Sequence, residues 1–445
     1  MTKLFRRNTI RLAASTMAAG FVLAACGGGP TEPATAEPPP NRPVTITVWS
    51  NFADRELEAL REVMRRFDES QPNISVEVSG NQDDDKITQA IRGGIPPDVA
   101  ISSASYHVGL YCSSGAWQDL GPYLERDEVD LSRIPQAVRN YTQYQGTRCS
   151  MPMLADTFGL YYNKELFAKA GIDRPPRTMS ELTDYAKRLT EFNPDGSIKV
   201  AGFVPRMFFY QNYPTVWAPQ WGADWVDKKG KSSLATDPAW QRMLRWQKEL
   251  TDYYGWERLQ RFTSKLGLYS SADQGFQTGE IAMVFDGEYR TAFLADQAPD
   301  VNYGTAPAPV ADDRRNTYGG GYITGSTVGI PRGANQPGAA WEAIKYLSTN
   351  TEAQLHLANE FGNVPSTLDA AKHPDLEADE RFQTFLDIFT SPHLATSPPT
   401  PNGLASIKTV ESFLQSWQAG QVDDLPAELA DLDQAIDDAK ELGRR

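Results

Sequence analysis

The sequence predicts an α/β protein with more than one domain. Apolar segments that alternate in the manner of strands, such as 44–49 and 74–78, are separated by amphipathic segments with helical spacing. This alternation is typical of right-handed β-α-β crossovers and predicts a mostly parallel sheet. About 400 residues follow the N-terminal segment. That length is too great for one ordinary hydrophobic core and indicates two or three domains.

Residues 1–25 have the pattern of a secretory signal peptide. A basic start from Lys3 to Arg11 precedes fourteen uncharged residues, Leu12 to Ala25, which are too few to span a bilayer. Cys26 follows Leu-Ala-Ala directly, as in a bacterial lipobox, and we expect it to be acylated as the mature N-terminus. The alternative is an ordinary signal peptide with an incidental cysteine. The protein is therefore expected outside the cytoplasm, anchored to the outer face of the bacterial cell membrane.

A proline-rich segment connects Cys26 to the folded part of the chain. Six of the seventeen residues in 27–43 are proline, and no apolar period runs through them. Such a segment cannot bury enough apolar surface to offset the entropy of ordering, so 26–43 is expected to be an extended linker. At ~3 Å per residue it would reach ~50 Å from the bilayer. Folded structure is expected to begin near Val44.

The first strands and helices follow from the residue pattern. The segment 44–49 predicts a strand, and apolar residues at helical spacing predict a helix from about Asp54. A proline and an asparagine end that helix, and 74–78 returns as a strand. A second helix is expected at 84–92, where a glycine pair ends it, and a third strand at 96–101.

The same alternation continues in the second half of the chain. The later elements are, in order, a strand at 158–162, a helix at 164–170, a helix that starts with the capping box at Thr178, a helix from Pro238, a strand at 279–285 and a helix from Pro337. Residues 351–445 are expected to be helices separated by proline-containing loops.

Composition and charge limit the possible functions. The chain is 40% hydrophobic and 22% charged, as soluble globular proteins are. Its formal net charge of −14 disfavours binding to nucleic acid, and it disfavours a basic membrane-docking surface. The four histidines are scattered without the spacing of metal ligands. No cofactor, metal or nucleic-acid partner is therefore expected, and membrane contact is expected through the lipid anchor only.

The cysteine count agrees with export. Apart from Cys26 the chain has two cysteines, Cys112 and Cys149, the even number expected in an oxidising compartment. A bridge between them would stabilise the fold by ~4 kcal/mol in the chain-entropy model. We expect this disulfide, with a Cα–Cα distance of ~4.4–6.8 Å. The alternative is a pair of buried free thiols.

Motifs along the chain resemble one known family. They follow one another after residue 44 at 44–52, 97–100, 151–171, 276–289 and 319–347. Each motif is loose, but the ordered set is specific, and it resembles the extracellular solute-binding proteins of ABC importers, family 1. The resemblance covers nearly all of the chain after residue 44.

The resemblance implies a fold of two α/β lobes with a hinge that the chain crosses several times. Carried over, lobe one is 44–153 with 307–350, and lobe two is 154–306 with 351–445. A ligand would bind in the cleft between the lobes, which would close around it. The loaded receptor would then dock on the transmembrane subunits of an ABC permease. It would act as a monomer and without chemical change to its ligand.

The family pattern also places candidate ligand-binding residues. They follow the strands that end at the expected cleft and are Asn51, Phe52, Ser102, Ser103, Tyr106, Asp156, Asp286, Tyr289, Gly320, Gly321, Tyr322 and Asn402. Hydroxyl groups and free N–H groups near a helix start could hold polar cargo. For any one of these residues, a structural role competes with ligand contact.

An aromatic-rich segment indicates the class of ligand. Eight of the 23 residues from Phe203 to Trp225 are aromatic, about three times the chain average. Sugars present flat C–H faces that stack on such rings, and their hydroxyl groups need paired donors and acceptors. We expect a neutral mono- or oligosaccharide, with Tyr210, Trp217 and Trp221 among its contacts. The alternative is a packed, aromatic-rich lobe core that accounts for several of these rings.

Other functions remain open. Asp286 and Glu288 could indicate a glycosidase pair, but they lie too close in sequence for its usual separation, and the chain is not expected to be an enzyme. A polyol phosphate, such as glycerol phosphate, is an alternative cargo with Arg206 as the anion partner. A sugar sensor that presents its ligand to a signalling partner is an alternative role.

Overall fold

The computed structural model describes residues 35–403 and 405–442. The predicted signal peptide and the predicted acylation site, Cys26, lie outside the described residues. Within the described part of the chain, no helix is both long enough and apolar enough to cross a membrane.

The described residues form ten strands and seventeen α-helices. The strands are β1 Val44–Trp49, β2 Ile74–Ser79, β3 Val99–Ser102, β4 Met151–Asn163, β5 Glu191–Phe192, β6 Ile198–Phe203, β7 Ile281–Gly287, β8 Tyr303–Ala306, β9 Ile323–Gly329 and β10 Val364–Pro365. The helices are α1 Asp54–Ser70, α2 Asp84–Gly93, α3 Val108–Ser113, α4 Gly121–Arg126, α5 Gln136–Tyr141, α6 Lys164–Lys169, α7 Met179–Leu189, α8 Pro214–Trp221, α9 Pro238–Tyr254, α10 Trp256–Thr263, α11 Arg290–Gln297, α12 Pro337–Thr349, α13 Thr351–Phe361, α14 Leu368–Ala371, α15 Glu380–Phe389, α16 Ala405–Gln418 and α17 Leu425–Leu442.

The predicted elements are present in the structure. The expected helical face of α1 is buried, with Leu57, Leu60, Met64 and Phe67 inside. Capping starts α7 as predicted, because the Thr178 side chain accepts the backbone N–H three residues on. Helix periodicity and cap chemistry therefore located these helices correctly from sequence.

The ten strands form one sheet, and β4 divides it into two halves. One half contains β2, β1, β3 and β9, and the other contains β7, β6 and β5. The strand order of the sheet is β2-β1-β3-β9-β4-β7-β6-β5, and β8 and β10 also pair with β4. β4 belongs to both halves, because residues 151–157 pair with β9 and residues 158–162 pair with β7. The point between Thr157 and Phe158 is therefore where the chain passes from one half to the other.

The prediction of a mostly parallel sheet is wrong. β1 pairs in parallel with β2 and β3, and β6 pairs in parallel with β7, as β-α-β crossovers require. β4 is antiparallel to β7, β8, β9 and β10, and β3 is antiparallel to β9. The sheet is mixed because β4, which belongs to both halves, and β9, which lies between β3 and β4, run antiparallel to their neighbours instead of returning through a local crossover.

Folded structure begins earlier than the expected Val44. Ala36 packs against the hydrophobic core. The Glu37 carbonyl accepts a hydrogen bond from Arg126 Nη1, and the Pro40 carbonyl accepts one from Asn73 Nδ2 at 3.1 Å. The end of the expected linker is therefore attached to the body of the protein.

The predicted disulfide is confirmed. Cys112 in α3 is bonded to Cys149, and their Cα atoms are 5.3 Å apart. The bond joins the helix after β3 to the residues that lead into β4. It lies beside a small apolar cluster that includes Tyr111 and Trp117.

The lobe division expected from the family resemblance stays a prediction, and one contact bears on its boundary. Phe361, at the end of α13, meets Phe52 edge to face, with ring centroids 4.9 Å apart. β10 pairs with residues 154–155 of β4, on the side of that strand that pairs with β9. We therefore propose that 351–365 is better grouped with lobe one than with lobe two.

Candidate functional site

A cavity of about 460 Å³ opens where the two halves of the sheet meet. Five of the residues predicted from sequence line it, namely Ser103, Tyr106, Asp156, Tyr289 and Tyr322. They come from both halves, since Asp156 lies at the crossing point of β4 and Tyr289 follows β7. The cavity therefore has the position expected for a ligand site between two lobes.

One wall consists of hydroxyl-bearing side chains. Ser103, Ser105 and Tyr106 follow β3, and Thr324 lies opposite them on β9. The hydroxyl groups of Ser105 and Thr324 are 2.7 Å apart, which links the loop to the strand. Ser102 is buried and its Oγ donates to the Ala104 carbonyl, so it shapes this loop from behind.

A second wall consists of aromatic rings. Phe158 packs against Tyr322 and Tyr289, with centroid distances of 5.4 and 6.5 Å. Tyr213 and Trp225 face the same cavity from the segment around α8. Trp225 Nε1 is buried and has no hydrogen-bond partner among the described residues, so a donor is available there.

The two tryptophans expected to stack on ligand do not line the cavity, which corrects that prediction. Trp217 and Trp221 are both buried, 0% and 8% exposed, and each packs on Trp246 with ring centroids 5.0 and 5.7 Å apart. They lie four residues apart on α8 and therefore share its core-facing side. The aromatic segment does reach the cavity, but through Tyr213 and Trp225.

Asp286 is committed to internal contacts and does not line the cavity. Its carboxylate accepts from Arg290 Nε at 2.7 Å, from the Tyr269 hydroxyl at 2.6 Å and from the Gly287 N–H at 2.9 Å. Both Asp286 and Arg290 are fully buried. The carboxylate therefore holds the start of α11 and is not accessible to a ligand hydroxyl.

Several other predicted contacts also lie away from the cavity. Phe52 is buried against Phe361, and Tyr210 donates to the Gly267 carbonyl at 2.9 Å. Arg206 donates to Thr263 Oγ1 at 2.8 Å and faces a different cavity. The remaining predicted residues that do not line the cavity are Asn51, Gly320, Gly321 and Asn402.

The loop before α16 lines the cavity, but with residues that the sequence did not predict. Pro398, Pro399 and Thr400 line it, where the sequence had pointed to Asn402. A Cβ at Gly109 would overlap the Thr400 backbone, so glycine allows this loop to pack directly on α3. The run of prolines was the available signal, because it marks an extended segment that can cross a cleft.

A second cavity of about 590 Å³ adjoins the first. The two share Trp225 and the segment 397–400 as lining. The second is also lined by Tyr144, which follows α5, and by Arg314, whose Nε is buried without a partner among the described residues. The site therefore has space beyond the first cavity.

Two carboxyl groups lie together at the crossing point of β4. Asp156 faces the cavity, and the fully buried Glu288 lies behind it. The Asn363 side-chain N–H group donates to Asp156 Oδ1 at 2.6 Å and to Glu288 Oε1 at 2.9 Å. Burial raises the pKa of Asp156, and burial together with the Asp156 charge raises the pKa of Glu288.

In the described chain, no cluster of three or more metal-ligating side chains is present. Among the described residues, no lysine, arginine or histidine lines the first cavity. The arrangement offers ring faces, hydroxyl groups, one carboxyl group and one indole N–H. Such a set can hold a polar, uncharged molecule with flat apolar faces.

Comparison with known proteins identifies the family. The model of the bacterial extracellular solute-binding proteins matches residues 53–354. A maltotriose-binding protein of Pyrococcus abyssi is 18% identical over 336 residues, which are 75% of this chain and 69% of the relative. The sn-glycerol-3-phosphate-binding periplasmic protein UgpB of Brucella abortus is 26% identical over 339 residues, 72% of this chain and 74% of the relative.

Solved structures agree with this match. CpMnBP1 with mannotriose bound is 25% identical, with a TM-score of 0.73, and the alignment covers 90% of this chain and 100% of that one. The sugar-binding protein MalE of Xanthomonas citri has a TM-score of 0.74 at 20% identity, covering 90% and 98%. The chain therefore belongs to the bacterial extracellular solute-binding protein family and has its two-lobed α/β fold.

Proposed function

We propose that this protein is the substrate-binding lipoprotein of an ABC importer and captures a neutral mono- or oligosaccharide in the cavity between its lobes. The observation that supports this most directly is the pairing of the ring faces of Tyr213, Trp225, Tyr289 and Tyr322 with a hydroxyl wall and the Asp156 carboxyl group. Rings bind the C–H faces of a sugar, and the polar groups pair with its hydroxyls. Closure of the lobes would bury the sugar for delivery to a permease.

The absence of a cationic lining in the described cavity favours a neutral cargo. An anionic polyol phosphate would need an arginine or lysine, as charged oxygens do when they leave water. Arg206, the sequence-based candidate for that role, faces another cavity. The second cavity does contain Arg314, and the UgpB relative is named for glycerol phosphate, so this cargo remains the alternative.

Calorimetric titration of the mature protein tests the proposal. Mannotriose and maltotriose are the sugar probes, because relatives with these ligands are similar to this chain. Glycerol 3-phosphate is the probe for the alternative. We expect heat from at least one sugar, none from glycerol 3-phosphate, and unchanged sugar when the titrated mixture is recovered. Binding of glycerol 3-phosphate alone, or hydrolysis of the sugar, would contradict the proposal.

The proposed membrane attachment is tested separately. Cys26 is the expected acylated N-terminus, and Cys26→Ser should release the protein from the membrane fraction without changing its thermal unfolding. Mass spectrometry of the wild-type mature protein should find a lipid on Cys26. An unmodified N-terminus at another residue would contradict the anchor. We also propose a monomer, which light scattering during gel filtration checks.

The partner is the last part of the proposal. A permease and a signalling receptor could both recognise a closed, loaded binding protein, and sugar chemistry does not distinguish them. Purified permease transmembrane subunits should be retained by the sugar-loaded protein more than by the sugar-free one. Retention of a sensor domain in place of the permease would favour the alternative role.

A further inference from the structure

A carboxyl pair lies at the point where the chain passes between the lobes. One amide nitrogen, Asn363 Nδ2, contacts both Asp156 Oδ1 and Glu288 Oε1. Glu288 is also fixed on its other oxygen, since the Thr157 N–H donates to Oε2 at 2.7 Å. The two carboxyl groups are therefore held side by side, and neither can turn away from the other without losing a hydrogen bond.

The pair connects three separate passages of the chain. Asp156 and Thr157 belong to β4 at its change of partner, Glu288 follows β7, and Asn363 precedes β10. The backbone makes the same connection, because the Glu288 N–H donates to the Thr157 carbonyl at 3.2 Å. Relative motion of the lobes would have to change the surroundings of this pair.

The groups that face the pair supply no positive charge. Glu56 on α1 adds a further negative charge near Asp156. The tyrosines near the pair add no positive charge and are Tyr141, Tyr161, Tyr289 and Tyr322. The nearest cation in sequence, Arg290, is committed to Asp286. Within the described residues, neither carboxyl has an ion-pair partner. Two negative charges on carboxyl groups that contact the same amide nitrogen in a buried site repel each other, which favours a proton on one of them.

We propose that Asp156 and Glu288 share one proton, and that capture of sugar against Asp156 holds this proton more tightly, so that ligand binding is coupled to proton uptake. The inference rests on the proposed function, because Asp156 is taken to face the bound sugar. Closure removes water from Asp156 and disfavours the doubly ionised pair. At low pH the pair keeps its proton and binding is strong. As the pH rises, the proton leaves to solvent and binding weakens.

If Glu288 has only a structural role, sugar binding should not change how many protons the protein holds. A carboxylate that only accepts from Thr157 and Asn363 would stabilise the hinge equally before and after sugar binding. Its removal would then change stability or affinity by a factor that does not depend on pH. Proton exchange on binding is therefore the readout that separates the two roles.

Titration of mannotriose in two buffers with different ionisation enthalpies measures the exchanged protons. For the wild type between pH 5.5 and 8, we expect uptake of up to about one proton and an affinity that falls three- to ten-fold per pH unit, the upper value being the limit for one linked proton. Glu288→Gln keeps the shape and removes the second charge, so it should weaken both effects. Glu257→Gln, on the exposed side of α10, is the matched control and should keep both at wild-type size. Heats independent of buffer, or linkage of wild-type size in Glu288→Gln, would overturn the proposal.

A measurement without sugar keeps this test apart from that of the proposed function. In the free protein the native pair keeps a proton that the unfolded chain loses at about pH 4. The melting temperature should therefore fall by about 1–2 °C per pH unit from about pH 5 until the native pair ionises, and should level off above that pH. This slope should be smaller in Glu288→Gln, and in Asp156→Asn if the first variant does not fold. Equal slopes in wild type and variants would overturn the pair itself. Failure of mannotriose to bind, with the slopes as expected, would count against the proposed ligand and leave the proton pair supported.

Discussion

Replacing Trp225 by alanine is the most direct test of the aromatic wall. Trp225 lines both cavities, and its ring meets Trp240 edge to face with centroids 4.6 Å apart. Its Nε1 has no partner among the described residues. The side chain is thus in a position to give a bound sugar both a stacking face and a hydrogen-bond donor.

Trp225→Ala is expected to lose much of the sugar affinity but little of the folding stability. Truncation of a central aromatic anchor costs ~2–4 kcal/mol of binding, which is a decrease in affinity of about 30- to 700-fold. The contact with Trp240 is worth ~0.5–1.5 kcal/mol in folding stability. Trp217→Ala is the matched control, because Trp217 is fully buried and packs on Phe285 with centroids 4.3 Å apart. Its loss should lower the free energy of unfolding by ~3–5 kcal/mol.

The assay combines mannotriose titration with denaturant unfolding of both variants. Trp225→Phe keeps a ring but removes the N–H, so its intermediate affinity would divide stacking from hydrogen bonding. The reasoning fails if folded Trp225→Ala binds within about three-fold of the wild type. It also fails if Trp217→Ala loses affinity as strongly as Trp225→Ala while remaining folded.

Three further predictions concern the cavity and the body of the protein. Asp156→Asn should weaken mannotriose binding by ~1–3 kcal/mol in calorimetry, because a sugar hydroxyl loses its carboxyl partner; unchanged affinity would remove Asp156 from the site. Joint replacement of Cys112 and Cys149 by serine should lower the free energy of unfolding by ~4 kcal/mol in denaturant titration, and reduction of the wild type should do the same. Asp127→Asn should destabilise the protein at pH 7, because Arg126 and neighbouring donors hold the pKa of Asp127 below its usual value. That contribution is present above the unfolded pKa of ~4 and is lost as the pH falls, so stability curves of wild type and variant should converge in acid.

The sequence predicts an element correctly where the local spacing of apolar residues determines it. Strand alternation located β1 and β2, and apolar spacing located α1, since each pattern reflects which side faces the core. The sequence was insufficient where distant segments meet. No local pattern shows that β4 changes partner at Thr157, or that β9 runs antiparallel to it. The expected parallel sheet came from treating every strand as part of a local crossover.

The site residues also fall into those that a local pattern predicts and those that depend on distant segments. Asp156 was found from its place after a motif, and its partner Asn363 was not, because 207 residues separate them in the chain. The aromatic composition of 203–225 predicts ligand contact for Trp217 and Trp221, but their spacing of four on a helix indicates a shared side, which is buried. Asp286 likewise stands four residues before Arg290, and that pairing was visible as a charge pattern.

The disulfide also has a consequence for when the cavity is completed. Cys112 lies on α3, directly after the loop that gives Ser103, Ser105 and Tyr106 to the hydroxyl-bearing wall, and Cys149 lies just before the strand that carries Asp156. In a reducing cytoplasm both residues would be free thiols, and that wall would be joined to β4 by noncovalent contacts alone. A newly made chain would then be easier to unfold for passage through the membrane. Oxidation outside the cytoplasm would then fix this wall to the segment before β4, so that this side of the cavity would be completed only in that compartment.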